Sequence, residues 1–331
     1  MVRENAVTKK VGVLLVNLGS PEAPTTSAVR RYLKEFLWDP RVVNLPRSLW
    51  WIILNFFVLP FRPRKSAKAY KKIWQENGSP LVFWTQQLAE KVAKQFDGDS
   101  FSIDHVMRYG KPSIVKQLAK YKKSQIDELI VIPLYPQYSS TTTASVYDAV
   151  IQRVMKWWYI PSVRIVSDYY QRPIYIEALA DSVKTHWEKH GKNDMLLMSF
   201  HGLPAKLTEW GDPYFDQCHC TAELLAEKLS LTEGQWKIVF QSRFGKAKWL
   251  QPYCIEVLQV LPEQGIKSVD VICPGFAVDC LETLEEIEMA NKAIFQEAGG
   301  QSYRYIPALN DSDKHVDLMV ELIKGEMHER I

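Results

Sequence analysis

The chain has 331 residues, of which 47% are hydrophobic and 24% are charged, and its formal net charge is +3. This composition is typical of a globular protein of about two domains, and the weak net charge argues against a nucleic-acid partner. The sequence contains no C-x-x-C pair and no glycine-rich phosphate loop, which argues against a zinc ribbon and a nucleotide-binding loop. Residues 1–10 are charged and lack an apolar stretch, which predicts a cytoplasmic protein without a signal peptide.

Eight apolar runs are predicted to form buried strands, and segments of helical periodicity lie between them. The predicted strands cover residues 11–18, 103–107, 128–134, 163–168, 195–200, 236–241, 269–273 and 301–306. The predicted helices include residues 86–95, 221–229, 281–297 and 315–324. The same order of elements recurs in both halves, so we predict an α/β fold of two similar doubly wound domains, residues 1–171 and 172–331, with parallel four-stranded sheets. Ligands of such folds bind at the carboxyl ends of the strands, which predicts an active cleft between the domains.

Residues 49–61, between the first two predicted strands, are rich in tryptophan and phenylalanine, and a basic cluster follows at residues 62–72. This apolar run is too short to span a bilayer, which needs about 20 residues. Its periodicity favours a helix of the core. The bulky aromatics beside basic side chains leave a second interpretation open, in which the segment faces a membrane surface.

Two strand ends carry side chains suited to proton transfer and metal binding. His201 closes the run at residues 195–200, where it could act as a base near neutral pH or bond structurally to a backbone carbonyl. Asp279, Glu282 and Glu286 follow the run at residues 269–273 with the spacing of one face of an α-helix. Asp279 and Glu282 could also form a capping box, which would leave Glu282 less free to reach a metal.

A pair of histidines lies on a segment of helical character. His186 and His190 are four residues apart, which would place both rings on one face of a helix. Such a pair could bind a metal ion, but a solvated helix end is the favoured interpretation. At the ends of other predicted strands, Arg108 and Tyr109 could orient anionic groups of a substrate.

Five short segments in a fixed order resemble the ferrochelatase family, in its bacterial form without an iron–sulfur cluster. They are VLLVNLGSP at residues 13–21, YPQYS at 135–139, SFHGLP at 199–204, GDPY at 211–214 and DCLETL at 279–284. A member of this family would have a chelatase-like fold. It would be a lyase that inserts Fe²⁺ into protoporphyrin IX to form protohaem, the last step of haem biosynthesis.

The resemblance also implies roles for individual residues. His201 and Glu282 would be the catalytic residues and metal ligands that handle pyrrole protons and iron, and Asp279 and Glu286 would continue an acidic path. At the next outward position of that path stands Ala290, so the path would be shorter here. The implied porphyrin contacts are Leu18, Arg62, Tyr70, Ser79, Arg108, Tyr109 and Trp249.

The resemblance further implies protoporphyrin IX and Fe²⁺ as substrates, no permanently bound cofactor and a peripheral contact with the inner membrane. Residues 326–331 contain no cysteine, so an iron–sulfur cluster is not expected. Two other classes stay open. One is a chelatase for another tetrapyrrole, such as a cobalt enzyme acting on a corrinoid precursor, and the other is a non-catalytic two-lobed binding protein.

Overall fold

The computed structural model describes residues 9–243, 245 and 247–328. Residues 1–8, most of the N-terminal segment whose composition predicts the absence of a signal peptide, lie outside these ranges. Residues 329–331, part of the C-terminal segment without cysteine, also lie outside these ranges. Within them, no helix is both long and apolar enough to cross a bilayer.

Two four-stranded parallel sheets form the framework, which confirms the predicted α/β class. The first has the order β2-β1-β3-β4 and contains β1 Val11–Asn17, β2 Phe101–Met107, β3 Glu128–Pro133 and β4 Ser162–Ile165. The second has the order β6-β5-β7-β8 and contains β5 Met195–His201, β6 Trp236–Gln241, β7 Ser268–Ile272 and β8 Ser302–Ile306. The two sheets therefore share one topology, with the two halves of the chain each contributing one sheet.

Helices cover both faces of each sheet, and their bounds are as follows. The first half contains α1 Thr26–Leu37, α2 Arg47–Ile53, α3 Arg62–Ile73, α4 Pro80–Ala93, α5 Ile114–Ser124 and α6 Thr143–Val154. The second half contains α7 Pro173–His190, α8 Lys206–Glu209, α9 Tyr214–Lys228, α10 Cys254–Val260, α11 Lys292–Glu297 and α12 Asp313–His328. Two further segments, Leu54–Val58 and Glu282–Asn291, are π-helices.

Strand β1 shows why the strands are apolar throughout. Val13 and Leu15 belong to one buried cluster, whereas Leu14 and Val16 point to the opposite face and belong to another. The first of these clusters also contains Met198 and many other side chains of the second sheet, so one continuous core joins both sheets. The division after residue 171 stays a prediction, because burial alone does not separate the halves.

The apolar run at residues 49–61 lies on α2 and the first π-helix, and only one of its faces is in the core. Trp50 and Leu54 are buried, and the Trp50 indole donates a hydrogen bond to the Leu37 carbonyl at 2.7 Å. On the other face, Phe57 and Phe61 are 65% and 71% exposed. The core interpretation is therefore wrong for half of this segment. We call its exposed face the apolar lip, and it consists of Leu49, Trp51, Ile52, Phe56, Phe57 and Phe61.

Two of the five motif segments hold the halves of the molecule together. The Asp212 carboxylate accepts hydrogen bonds from the Ser139 hydroxyl at 3.0 Å and from the Ser140 amide at 2.7 Å. Close by, the Gln137 amide donates to the Thr221 hydroxyl at 3.0 Å. Asp212 is buried, so its charge is stabilised by these donors. The GDPY and YPQYS segments thus fix the end of β3 against α9.

Candidate active site

His201 is the last residue of β5, a strand in the interior of the second sheet. Its Nδ1 lies 2.6 Å from the carbonyl oxygen of Gly202. A carbonyl can only accept, so Nδ1 carries the hydrogen and a neutral ring has its lone pair at Nε2. The side chain is half-buried, at the carboxyl end of the strands. This arrangement offers one basic nitrogen that can take a proton or bind a metal ion.

The glycine after His201 is required by close contacts with its neighbours. The Gly202 amide donates to the Gln241 carbonyl at 2.7 Å, and a Cβ at Gly202 would lie 2.6 Å from that same oxygen. Trp249 lies on the other side, with a ring carbon 3.4 Å from the same Cβ position. The Trp249 indole nitrogen is buried and has no hydrogen-bond partner among the described residues. An unsatisfied buried donor beside Gly202 marks a place where a ligand group could be accepted.

Glu282 and Glu286 lie on the second π-helix, which begins at Glu282. Asp279 precedes this helix, whose hydrogen bonds are i→i+5, so the prediction that Asp279, Glu282 and Glu286 share one face of an α-helix is wrong. The start of the helix is held by Gln241, whose amide donates to the Glu282 carbonyl at 3.1 Å. Gln241 is itself oriented by the Ser199 hydroxyl at 2.8 Å.

Glu286 is a half-buried carboxyl group of this region whose pKa is raised. Its two oxygens accept hydrogen bonds from Ser242, one from the amide at 2.7 Å and one from the hydroxyl. Burial raises the pKa of Glu286, and the Ser242 hydrogen bonds and the charge of His201 oppose that rise. Glu282 adds a smaller rise by like-charge repulsion. His201, Glu282 and Glu286 therefore lie within electrostatic reach of one another.

Asp279 is buried and surrounded by donors. It accepts hydrogen bonds from the hydroxyls of Thr283 at 3.0 Å and Tyr305 at 2.6 Å, and from the Asn310 amide at 2.7 Å. The capping-box interpretation is wrong, because the Cys280 amide donates to the Thr283 hydroxyl and Glu282 makes no side-chain cap. Asp279 thus anchors the entrance of the π-helix. Its part in an acidic path stays a prediction.

Four residues predicted from the resemblance line one small cavity. Leu18, Tyr70, Ser79 and Glu282 meet there, together with Tyr32. Burial, and secondarily the charge of Glu282, raises the pKa of Tyr70 well above its usual value, so its hydroxyl stays protonated. The cavity joins the first half of the chain to the π-helix, which agrees with a cleft between the two sheets.

Arg108 and Tyr109 belong to a buried network behind that cavity. Asp39 accepts hydrogen bonds from the Arg108 guanidinium at 2.5 Å, the Tyr109 hydroxyl at 2.8 Å and the Ser145 hydroxyl at 2.6 Å. Tyr109 is only 1% exposed, so a ligand in the cleft would meet little of it in this conformation. Arg62, by contrast, is half-buried at the start of α3, and burial lowers its pKa. The porphyrin contacts of all three stay predictions.

Three residues at the site were not assigned a role from the sequence. Ser242 directly follows β6, and nothing in the spacing along the chain links it to Glu286. Asn310 follows β8 and adopts a left-handed conformation with φ 48°, which favours asparagine but does not reveal its partner. The Tyr135 hydroxyl is buried without a partner among the described residues, and both Tyr109 and Glu282 affect its pKa, which burial raises.

Solved structures with a similar fold include two chelatases. SirB from Bacillus subtilis with Fe³⁺ aligns with a TM-score of 0.55 and 12% identity over 95% of this chain and 94% of that chain. The sirohydrochlorin chelatase SirB from Bacillus subtilis subspecies spizizenii, in complex with cobalt, aligns with a TM-score of 0.56 and 10% identity over 97% of each chain. At such low identity these likenesses concern the fold alone.

Other relatives are far more similar in sequence than these two chelatases, and the similarity extends over nearly the whole chain. The ferrochelatase of Methylococcus capsulatus is 52% identical over 315 residues, which cover 95% of this chain and 96% of that protein. Ferrochelatase 2 of Shewanella oneidensis is 49% identical over 322 residues, covering 97% and 98%. The family model described as Ferrochelatase matches residues 10–327. The chain therefore belongs to the ferrochelatase family.

Proposed function

We propose that this protein is a ferrochelatase, a lyase that inserts Fe²⁺ into protoporphyrin IX and forms protohaem. The observation that carries the proposal is the unblocked Nε2 of His201 beside two carboxyl groups of a π-helix. Membership of the ferrochelatase family favours a porphyrin over a corrinoid precursor. It also favours catalysis over simple ligand capture.

The proposed cleft offers the ring both apolar surface and unsatisfied polar atoms. Leu18 and Trp249 would contact the faces of the macrocycle, while Tyr70 and Ser79 would lie nearer its edge. The Tyr135 hydroxyl and the Trp249 indole nitrogen are buried without partners among the residues described, which supports a ligand at this place. Binding along the whole ring could offset the cost of bending it toward a shape that exposes its nitrogen lone pairs.

Insertion exchanges two pyrrole protons for one Fe²⁺ ion, so two protons have to leave the cleft. We assign the first acceptor to His201, because Nε2 holds a lone pair while Nδ1 is bonded to Gly202. Glu286 is the next carrier in this scheme, since its raised pKa lets it bind and release a proton closer to neutral pH. Asp279 would complete the path only as a fixed charge, because its oxygens are already bonded.

Fe²⁺ is a substrate in this reaction, and the cleft suits a transient contact. Within the part of the chain that the structure describes, no three His, Cys, Asp or Glu side chains are arranged to hold a metal ion. We therefore assign Glu282 as the carboxylate that guides iron to the ring, with His201 as a second ligand before it takes a proton. An incomplete ligand set leaves the ion free to transfer to four porphyrin nitrogens.

Substitution of His201 tests the assignment. We expect His201→Ala to lower the rate of Fe²⁺ and Zn²⁺ insertion by at least about 100-fold, because the acceptor of the pyrrole protons is lost. Porphyrin binding, measured by tryptophan fluorescence quenching, should remain within a few-fold of the unsubstituted protein. His105→Ala, on β2, is the matched control and should keep its activity. Near-normal insertion by His201→Ala would rule out the proposed role.

We further propose that the apolar lip contacts a membrane surface. Phe56, Phe57 and Phe61 are exposed, and the exposed basic side chains of Arg64 and Lys65 follow them on α3. Aromatic side chains beside basic ones suit the interface of an anionic bilayer. Co-flotation with vesicles containing anionic lipid should decrease in a Phe56→Ser/Phe57→Ser variant. Equal flotation of both proteins would contradict this contact.

A further inference from the structure

A cavity outside the cleft is lined by the histidine pair His186 and His190. His186 and His190 occupy the last turn of α7, and their ring centroids are 4.7 Å apart with an angle of 46° between the planes. Both rings face an open cavity of about 260 Å³, which Glu288 of the π-helix also lines. His190 is exposed, as the solvated-helix-end interpretation predicts, whereas His186 is half-buried beside the same cavity.

The separation of the two rings fits a shared metal ion. Imidazole nitrogens lie about 2.0–2.1 Å from a bound Zn²⁺, and two such ligands at a near-tetrahedral angle bring their ring centroids to about 5 Å. The Nε2 atom of His186 is buried and has no hydrogen-bond partner among the residues that the structure describes. A buried ring nitrogen without a partner costs free energy, which a bound cation would recover.

The end of α7 is held in place before any ligand arrives. The Arg304 guanidinium donates to the carbonyls of His190 and Gly191, the latter at 2.9 Å. The Trp187 indole donates to the Asp270 carboxylate at 2.7 Å. These bonds fix the backbone that carries both histidines, so little conformational entropy is lost when a metal binds.

The charges around the cavity allow a cation to bind. Arg304 lies near the buried Asp270 carboxylate, which offsets its charge. Glu288 and Lys292 both line the cavity, so their charges offset each other, and the two histidines lie in the last turn of α7, where the helix dipole is negative. No three His, Cys, Asp or Glu side chains of the described ranges form a complete ligand set, so water would fill the remaining positions.

We propose that His186 and His190 bind a divalent transition-metal ion, such as Zn²⁺ or Co²⁺, at a second site outside the porphyrin cleft. Glu288 serves as an outer carboxylate that bonds to metal-bound water. Imidazole ligands suit this class of ion, whereas Mg²⁺ and Ca²⁺ prefer oxygen ligands and are excluded. The inference does not depend on the proposed insertion reaction, because no residue of the cleft takes part.

The experiment uses the untagged protein with His201→Ala and Glu282→Gln, which removes the cleft ligands. Isothermal titration with Zn²⁺ at neutral pH should show one bound equivalent, and Co²⁺ should give the visible absorption of an imidazole-ligated ion. Adding His186→Ala and His190→Ala should abolish both signals, and Glu288→Gln should weaken Zn²⁺ binding by about tenfold. Zn²⁺ should also raise the unfolding temperature only when both histidines are present.

His219→Ala is the matched control, because its Nε2 is likewise buried without a partner but its ring neighbours are Phe215 and Phe240. This variant should keep the Zn²⁺ equivalent. The inference is overturned if the His186→Ala/His190→Ala variant still binds one equivalent. It is also overturned if no binding is detected at millimolar Zn²⁺ in a protein whose circular dichroism shows it to be folded.

Discussion

At the scale of single residues, the pairing of Ser242 with Glu286 has the most direct effect on chemistry. Two hydrogen bonds from Ser242 favour the ionised carboxylate, while burial favours the neutral form. Ser242→Ala removes one of these bonds, so the pKa of Glu286 should rise further. If Glu286 accepts protons during insertion, the acidic limb of the kcat–pH profile should move to higher pH. Ser167→Ala, two residues after β4, should leave the profile unchanged, and an unshifted profile in Ser242→Ala would contradict the relay.

Gly202 provides a second test at this scale. A Cβ there would meet the Gln241 carbonyl at 2.6 Å, so the loop after β5 would have to shift and carry His201 with it. We expect Gly202→Ala to lower the free energy of unfolding by about 1–3 kcal/mol and to reduce metal insertion strongly. The control is Gly98→Ala, where an added Cβ has no neighbour within 4 Å. Equal stability and activity of the two variants would show that the contact is easily relieved.

Among the elements, the second π-helix is tied to α12 through a chain of hydrogen bonds. His315 Nδ1 donates to the Asn310 carbonyl at 2.6 Å, and Asn310 in turn bonds to the Asp279 carboxylate at 2.7 Å. Burial lowers the pKa of His315 to about 4. The carboxylate that anchors the π-helix is therefore connected to a histidine that stays neutral in the folded protein.

This connection predicts a pH dependence of stability. The unfolded chain binds a proton at His315 near pH 6.5, whereas the folded chain does so only near pH 4, so stability falls as pH decreases through this window. This difference in the pKa of His315 contributes at most about 3 kcal/mol to the free energy of unfolding, at 1.36 kcal/mol per pKa unit. Urea unfolding at pH 4 and pH 7 measures this difference in the free energy of unfolding. His315→Gln should flatten this part of the profile, and an unaltered slope would assign the effect to other groups.

The elements also show how far sequence reasoning reaches. The eight strands were predicted because parallel strands buried on both faces are continuous apolar runs. The π-helix was not predicted, because no residue type is required for i→i+5 hydrogen bonds that would distinguish a π-helix from an α-helix in the sequence. His201 and Glu282 could be predicted as site residues through motif segments. The hydrogen-bond partners of Asp279 and Glu286 could not be predicted, because Asn310 and Ser242 reach these carboxylates through tertiary packing and not through a spacing along the chain.

For the whole molecule, the shared core predicts that the two halves unfold together. One buried cluster contains strands of both sheets, and Asp212 ties the end of β3 to the second half. Differential scanning calorimetry should therefore give one transition, with the van't Hoff enthalpy close to the calorimetric enthalpy. Two separate transitions would instead support two independently stable domains divided near residue 171.

Asp212 offers a way to weaken that connection. Asp212→Ala leaves the Ser139 and Ser140 donors without a buried acceptor, which should lower stability by about 1–3 kcal/mol. Asp216→Ala, an exposed position in the first turn of α9, is the control and should change stability little. An equal effect of both substitutions would mean that the GDPY segment does not fasten the two halves.

The second π-helix also limits how this chain can change during evolution. A one-residue deletion within Glu282–Asn291 would let the segment relax into the more favourable α-helix. The same deletion would turn later residues by about 100°, and one between Glu282 and Glu286 would swing Glu286 away from Ser242. Point substitutions at positions other than Glu282 and Glu286 leave the helix register unchanged, but changes of length do not. Natural variants with a gap inside this segment should therefore be found only where metal insertion is no longer under selection.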